Sequence, residues 1–176
     1  MGFKASLDIL AKIITIGVIL LLAVLGSNST RVLLNMNNPD LQGILIHSGI
    51  LIFFLAIIIG SYMFSPRKYI LNEDQLIIER PVSLVVFALD DITEVTNVDS
   101  GKFIGTIRTF GVGGLFGYFG RFYNKNFGHF TCYITQRKNL IFIKTKTGKK
   151  IFISPDDVNM GVYLRTYLLS RSSVEI

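Results

Sequence analysis

Residues 41–64 read LQGILIHSGILIFFLAIIIGSYMF, and no Asp, Glu, Lys or Arg falls between Asp40 and Arg67. A helix needs about 20 mostly apolar residues to cross the hydrocarbon core of a bilayer, and this run supplies 24. A soluble chain could hide such a rod only inside a large core. A chain of 176 residues with a second apolar run near its start cannot do so. The run is therefore read as a transmembrane helix, and the rest of the chain is organised around it.

The second apolar run covers residues 13–26, with no charge between Lys12 and Arg31. Counted from residue 7, with Lys12 snorkelling to the interface, it gives a helix over about 7–26 that is just long enough to span. A cleaved signal peptide is the alternative, with Lys4 and Lys12 as its basic region and Val24-Leu25-Gly26 as its cleavage site. The opening Met1-Gly2-Phe3-Lys4-Ala5-Ser6 fits the myristoylation pattern, which is short and is read here as coincidence. Residues 27–40 form a polar connector, so the two runs make a hairpin. Lys4, Lys12, Arg67 and Lys68 flank its open end and only Arg31 lies in the connector. The excess of basic residues places both termini in the cytoplasm and the chain in the inner membrane. Ala56 and Gly60 form a small-xxx-small pair suited to close packing with the other helix or a second copy of the chain. His47, inside the second span, is read as a neutral histidine hydrogen-bonded to the first helix.

The remaining 110 residues or so suffice for one small domain with its own core. Half of the chain is apolar and the net charge is +6, unevenly spread. Residues 73–99 hold seven acids against the single base Arg80; residues 100–155 hold ten bases and no acid. A basic half beside a membrane tether favours anionic lipid headgroups, and a solvated basic face is the plainer alternative. The single cysteine, Cys132, excludes an intrachain disulfide and a thiolate metal site, and is read as a small buried residue.

After Pro66 the pattern is strand-like. Expected strands cover 68–71, 75–79, 83–89, 92–98, 130–136, 140–146 and 149–153, with a hairpin turn at Thr147-Gly148. Ser154-Pro155-Asp156-Asp157 reads as a helix start, with Ser154 as cap and Pro155 in the first position. Val158, Val162, Leu164, Leu168 and Leu169 would give that helix its buried face, ending near Ser170. The fold expected is α+β with a membrane anchor. Residues 1–66 form the hairpin; residues 67–176 form seven antiparallel strands in a partly open barrel or sandwich capped by the terminal helix.

Four stretches carry a resemblance to a known family. They are Lys68-Tyr69-Ile70-Leu71, Leu89-Asp90-Asp91-Ile92, Arg108-Thr109-Phe110-Gly111 through Gly120, and Thr147-Gly148-Lys149-Lys150 with Ser154-Pro155-Asp156. The order resembles the pleckstrin-homology (PH) fold, and the whole chain is similar to small bacterial membrane proteins with a PH-like domain after a two-helix hairpin. The resemblance implies a fold and a location but no catalytic residues. Eukaryotic PH domains that bind phosphoinositides use bases between the first two strands. Here that turn is Asn72-Glu73-Asp74, which is acidic and counts against the same site.

Residues 103–130 hold seven glycines, seven phenylalanines and two tyrosines. Their spacing fits neither a dinucleotide fingerprint nor a P-loop, and stacking of single-stranded nucleic acid is disfavoured by the tether. Two readings stay open. The tract is an insertion folded back on the domain, its phenylalanines joining the core. Or Leu115, Phe116, Tyr118, Phe119 and Phe122 form an apolar surface at the bilayer, with Lys102, Arg108, Arg121 and Lys125 meeting phosphates. A protein partner or homo-oligomer could use the same surface. Catalysis finds little support. His129 and Cys132 are three apart in a strand and face opposite ways, while Asp90-Asp91 and Asp156-Asp157 read as turn and cap residues. No cofactor or metal is expected. The function expected is a non-catalytic, membrane-anchored binding module for anionic lipid or a membrane protein, with an assembly subunit of a larger complex as the alternative.

Overall fold

The computed structural model describes residues 1–35 and 41–172; residues 36–40 of the connector lie outside the described residues. The chain opens with a short strand, β1 (Gly2–Lys4), followed by α1 (Ile9–Leu34) and α2 (Leu41–Phe64). Nine strands come next: β2 (Lys68–Leu71), β3 (Gln75–Glu79), β4 (Leu84–Ala88), β5 (Ile92–Val98), β6 (Ile107–Gly114), β7 (Gly117–Asn124), β8 (Gly128–Ile134), β9 (Leu140–Thr145) and β10 (Lys150–Ile153). The helix α3 (Asn159–Ser172) follows.

Both α1 and α2 are long and apolar enough to cross a membrane. Their apolar side chains point outward: Ile13, Leu20, Ile52 and Phe53 are exposed, while the buried positions are Ala11, Thr15, Gly26, Ser29 and Ser61. Asp8 caps α1 by accepting from the Ala11 amide at 2.7 Å. The helix runs to Leu34, past the end expected near residue 26. The hydroxyls of Ser27 and Thr30 donate back to the carbonyls of Val24 and Gly26, which lets a polar stretch continue the helix.

The strands form two sheets, one ordered β1-β2-β3-β4 and one ordered β5-β9-β10-β8-β7-β6, and neither closes into a barrel. The seven expected strands are all present, but the described residues hold ten. Two of the additional strands, β6 and β7, are a hairpin made from the glycine- and phenylalanine-rich tract. The third, β1, pairs with β2 across the whole helical hairpin, Phe3 opposite Tyr69. One neighbour pair departs from the antiparallel expectation: β10 returns from β9 and runs parallel to β8.

Alternation along the strands builds two cores. Tyr69, Leu76, Ile78, Ile141, Ile143, Ile151 and Ile153 fill the space between the sheets, closed by Met160 and Leu164 of α3. Phe122, Phe130, Phe142 and Phe152 form the second on the opposite face of the larger sheet, with Phe103 and Phe127 packed over them. The Phe130 and Phe152 rings lie 4.7 Å apart. Strand β9 is buried on both faces because it contributes to both cores.

The terminal helix begins at Asn159, later than the expected start at Pro155. The Ser154 hydroxyl is engaged elsewhere, accepting from the Thr135 and Gln136 amides at 2.9 and 3.3 Å. Asp157 instead accepts from the Asn159 amide at 2.9 Å. The buried side of α3 is Met160, Gly161 and Leu164, with Val158, Val162 and Leu169 exposed. A buried network ties the sheets together: the Tyr69 hydroxyl donates to the Tyr133 carbonyl at 2.6 Å and accepts from the Ser154 amide at 3.2 Å.

Tyr69→Phe leaves that carbonyl and amide short of a partner, and is expected to cost about 2 kcal/mol in thermal or denaturant unfolding. Burial pushes the Tyr69 phenol from 10.0 up to about 12. The unfolded chain loses this proton first, so stability from Tyr69 is present below pH 10 and is lost as pH rises toward 12. The gap between the wild type and Tyr69→Phe should therefore narrow over that window.

Candidate functional site

The β6–β7 hairpin sits where the helices meet the sheets. Gly111 and Gly120 oppose each other with φ of 111° and 117°. A Cβ on either would lie within 2.4 Å of a carbonyl oxygen on the partner strand, so only glycine permits this pairing. The tip wedges between the helices. The Phe116 amide donates to the Thr15 hydroxyl at 2.9 Å, and that hydroxyl donates to the Gly114 carbonyl at 3.4 Å. Just past α2, the Ser65 hydroxyl donates to the Phe116 carbonyl, and the rings of Tyr62, in the last turn of α2, and Phe116 meet edge to face at 5.6 Å. The tip thus bonds to α1 on one side and to the end of α2 on the other.

The alternation of β7 decides what each face presents. Tyr118 and Phe122 point into the phenylalanine core. Phe119 and Arg121 point the other way, beside their cross-strand partners Val112 and Phe110. Of the apolar residues expected at the bilayer, Leu115, Tyr118, Phe119 and Phe122 are only 8, 4, 6 and 5 % exposed, and Phe116 is half-buried at the tip. The apolar side chains that do face outward in this region are Ile104, Ile107 and Phe110, at 79, 63 and 75 %.

The four expected bases do not gather. Arg108 lies opposite Phe122 and over Gly113, on the core side of the hairpin. Arg121 is on the other face. Lys125 is exposed in the β7–β8 turn, and Lys102 lies nearby, its carbonyl accepting from the Asn124 and Asn126 side-chain amides. Arg121 instead shares a cleft of about 320 Å³ with His129, Lys149 and Lys150. Lys150 donates to the Phe127 carbonyl at 2.7 Å, and the His129 ring packs 5.0 Å from Tyr123. The sequence signal for this cluster was the stretch of residues 100–155 without an acid. What joins its members is the parallel β8–β10 pairing, which brings the β9–β10 turn beside β8.

A second space of about 540 Å³ lies between the last turns of α2 and the same sheet face. Ala56, Gly60, Ser61 and Phe64 form one wall, and Phe110, Val112, Phe119 and Tyr133 form the other. Ala56 and Gly60 therefore face the sheet rather than the other helix. Thr131 borders both this cavity and the basic cleft. Arg80 also lines the cavity, its guanidinium 5.6 Å from the Phe64 ring and 5.8 Å from the Tyr133 ring. The guanidinium donates to the Ser83 hydroxyl at 2.6 Å, while its buried Nε has no acceptor among the described residues. In the helical hairpin, Nδ1 of His47 is buried and has no partner among the described residues, so it does not make the expected bond to α1.

His129 is exposed on β8 and Cys132 is buried in the phenylalanine core, on opposite faces as their spacing required. Asp156 accepts from Ser6 and Gln136, and Asp90 accepts from the Tyr167 hydroxyl at 3.3 Å. Burial pushes the Cys132 thiol well above its usual pKa, which removes the thiolate needed for nucleophilic attack. A maleimide reagent should leave the folded chain unmodified at neutral pH and label Cys132 fully in denaturant, read as mass.

No curated protein and no solved structure matches the chain significantly. A family model does: the Bacterial PH domain model matches residues 67–160, more than half of the chain. The match begins just after α2 and runs through the two sheets into α3. Two packed sheets followed by a helix agree with it, and the chain belongs to the bacterial PH domain family.

Proposed function

We propose that this chain is a non-catalytic, membrane-anchored binding module. Its helices α1 and α2 cross the inner membrane as a hairpin with both ends in the cytoplasm, and its PH domain engages anionic lipid headgroups. The observation that carries the reading is the cleft lined by Arg121, His129, Lys149 and Lys150, which shares Thr131 with the cavity beside α2. A cationic cleft next to the cavity beside the anchor helix suits phosphates. The tether holds it at high local concentration, so weak individual contacts suffice. The exposed Ile107 and Phe110 on the neighbouring strand add apolar area on the same hairpin. Retention of the first helix, rather than cleavage as a leader, is supported by the pairing of β1 with β2 and by the bonds of Asp8 and Thr15 to the domain.

A second reading gives the hairpin to a protein partner or a second copy of the chain. It is favoured by β6, an edge strand with exposed Ile107 and Phe110. A stoichiometric protein recovered after gentle detergent extraction would support it.

Each cation near an anionic surface contributes about 1 kcal/mol. In nanodiscs of phosphatidylcholine mixed with phosphatidylglycerol, amides of β7, β8 and the β9–β10 turn should exchange more slowly than in pure phosphatidylcholine. Arg121→Gln/Lys149→Gln/Lys150→Gln should lose about 3 kcal/mol of this docking, and high salt should weaken it in the wild type. Equal exchange in both lipids would refute the headgroup reading. For orientation, an impermeant maleimide should label Asn35→Cys from outside spheroplasts. Lys146→Cys should react only after lysis, and the reverse pattern would overturn the assigned sidedness.

A further inference from the structure

The cavity beside α2 is distinct from the basic cleft and has a chemistry of its own. We propose that it holds one anionic glycerophospholipid, with an acyl chain along α2 and the phosphate at Arg80. This goes beyond the headgroup reading above and shares with it only the membrane setting.

Residues 56, 57, 60, 61 and 64 lie on one face of α2. That face is unusually small: Ala56, Gly60 and Ser61 stand opposite Phe110, Phe119 and Tyr133. Small side chains against a wall of rings leave about 540 Å³ that no protein atom fills. This volume is typical of small-molecule sites. Left empty, the space forfeits dispersion contacts on both walls, and water inside it would find few polar partners. An alkyl chain satisfies both walls. The stretch from Ala56 to Phe64 is roughly 12 Å of helix, which a chain lying parallel to α2 would cover.

The charge is at the appropriate end. Arg80 sits against Phe64, the last residue of α2, and the β3–β4 turn is docked there by the Val82 amide, which donates to the Met63 carbonyl at 3.2 Å. In a bilayer, headgroups lie where a spanning helix ends, and chains run alongside it. Arg80 is the charged residue that lines the cavity, and its guanidinium has donor capacity left over. A phosphate satisfies it with a charge-assisted bond. The bilayer around α2 supplies the occupant.

The test uses the full chain in mild detergent, titrated with dioleoyl phosphatidylglycerol or dioleoyl phosphatidylcholine and read by native mass spectrometry. One phosphatidylglycerol per chain should be retained, preferred roughly tenfold over phosphatidylcholine, which carries the same phosphate but sets its choline cation against Arg80. Arg80→Gln should abolish the preference. Gly60→Phe should lower occupancy roughly tenfold by filling the cavity; a Cβ at Gly60 meets nothing within 4 Å, so the ring has room to enter. Ala56→Phe is a second filler, and thermal melting of both variants verifies their folding. Arg121→Gln/Lys149→Gln/Lys150→Gln should retain the lipid as the wild type does, which separates this site from the cleft. The proposal is overturned if the wild type retains no lipid, if both folded fillers retain it undiminished, or if a peptide is found in its place.

Discussion

The wedge of the β6–β7 tip between α1 and α2 is the contact on which the rest of the arrangement depends. Thr15 and Ser65 are polar residues at the domain end of two apolar rods, and each spends its hydroxyl on the hairpin backbone. Backbone groups placed against apolar helices would otherwise stay unpaired, at a cost of about 1–3 kcal/mol each. Their bonds therefore both satisfy the tip and fix the sheet relative to the helices. Without that fixed relation, Ala56 and Gly60 would have no opposite wall, and the cleft of Arg121 would have no defined place beside the anchor.

The hairpin can take this position because its composition serves two different needs. Gly111 and Gly120 allow a strand pairing that any Cβ would block, and the added side chain of a residue at Gly114 would collide with Ile14 of α1. The rings have the opposite task. Phe103, Phe127, Phe130 and Phe142 pack around Phe152, Phe122 stacks on Phe130, and together they cover the outer face of the larger sheet. Each buried ring contributes about 1.5–3 kcal/mol. A small domain with two core layers needs such large side chains, because it has few residues with which to cover a six-stranded sheet.

Much of this was legible in the sequence because it is local. The spans of residues 41–64, 68–71, 75–79 and 92–98 follow from hydropathy and alternation, and the structure has elements at the same positions. What was not legible is non-local. Nothing in Gly2-Phe3-Lys4 announces a strand until Tyr69 is placed opposite Phe3. The tract of residues 103–130 lacks strand alternation because its glycines stand where side chains would clash. Ser154 reads as a helix cap, yet its hydroxyl is claimed by the Thr135 and Gln136 amides. For the site, the absence of acids over residues 100–155 marked a basic half. It could not say that Arg121 would join Lys149 and Lys150 while Arg108 turned away, because strand order and hairpin facing decide that. Arg80, in the acidic segment, is drawn to the basic face's side of the molecule only through the turn that docks on α2.

The pairing of β1 with β2 has a consequence for biogenesis. These strands are neighbours in one sheet, yet both helices lie between them in the chain. Under the proposed crossing, they meet only when the polypeptide has traversed the lipid an even number of times. A nascent chain that threaded a single helix would strand its first residues in the opposite compartment, with the edge of β2 left open. Completion of this sheet is thus coupled to the threading of both helices, and a misthreaded product leaves β2 with an unpaired edge.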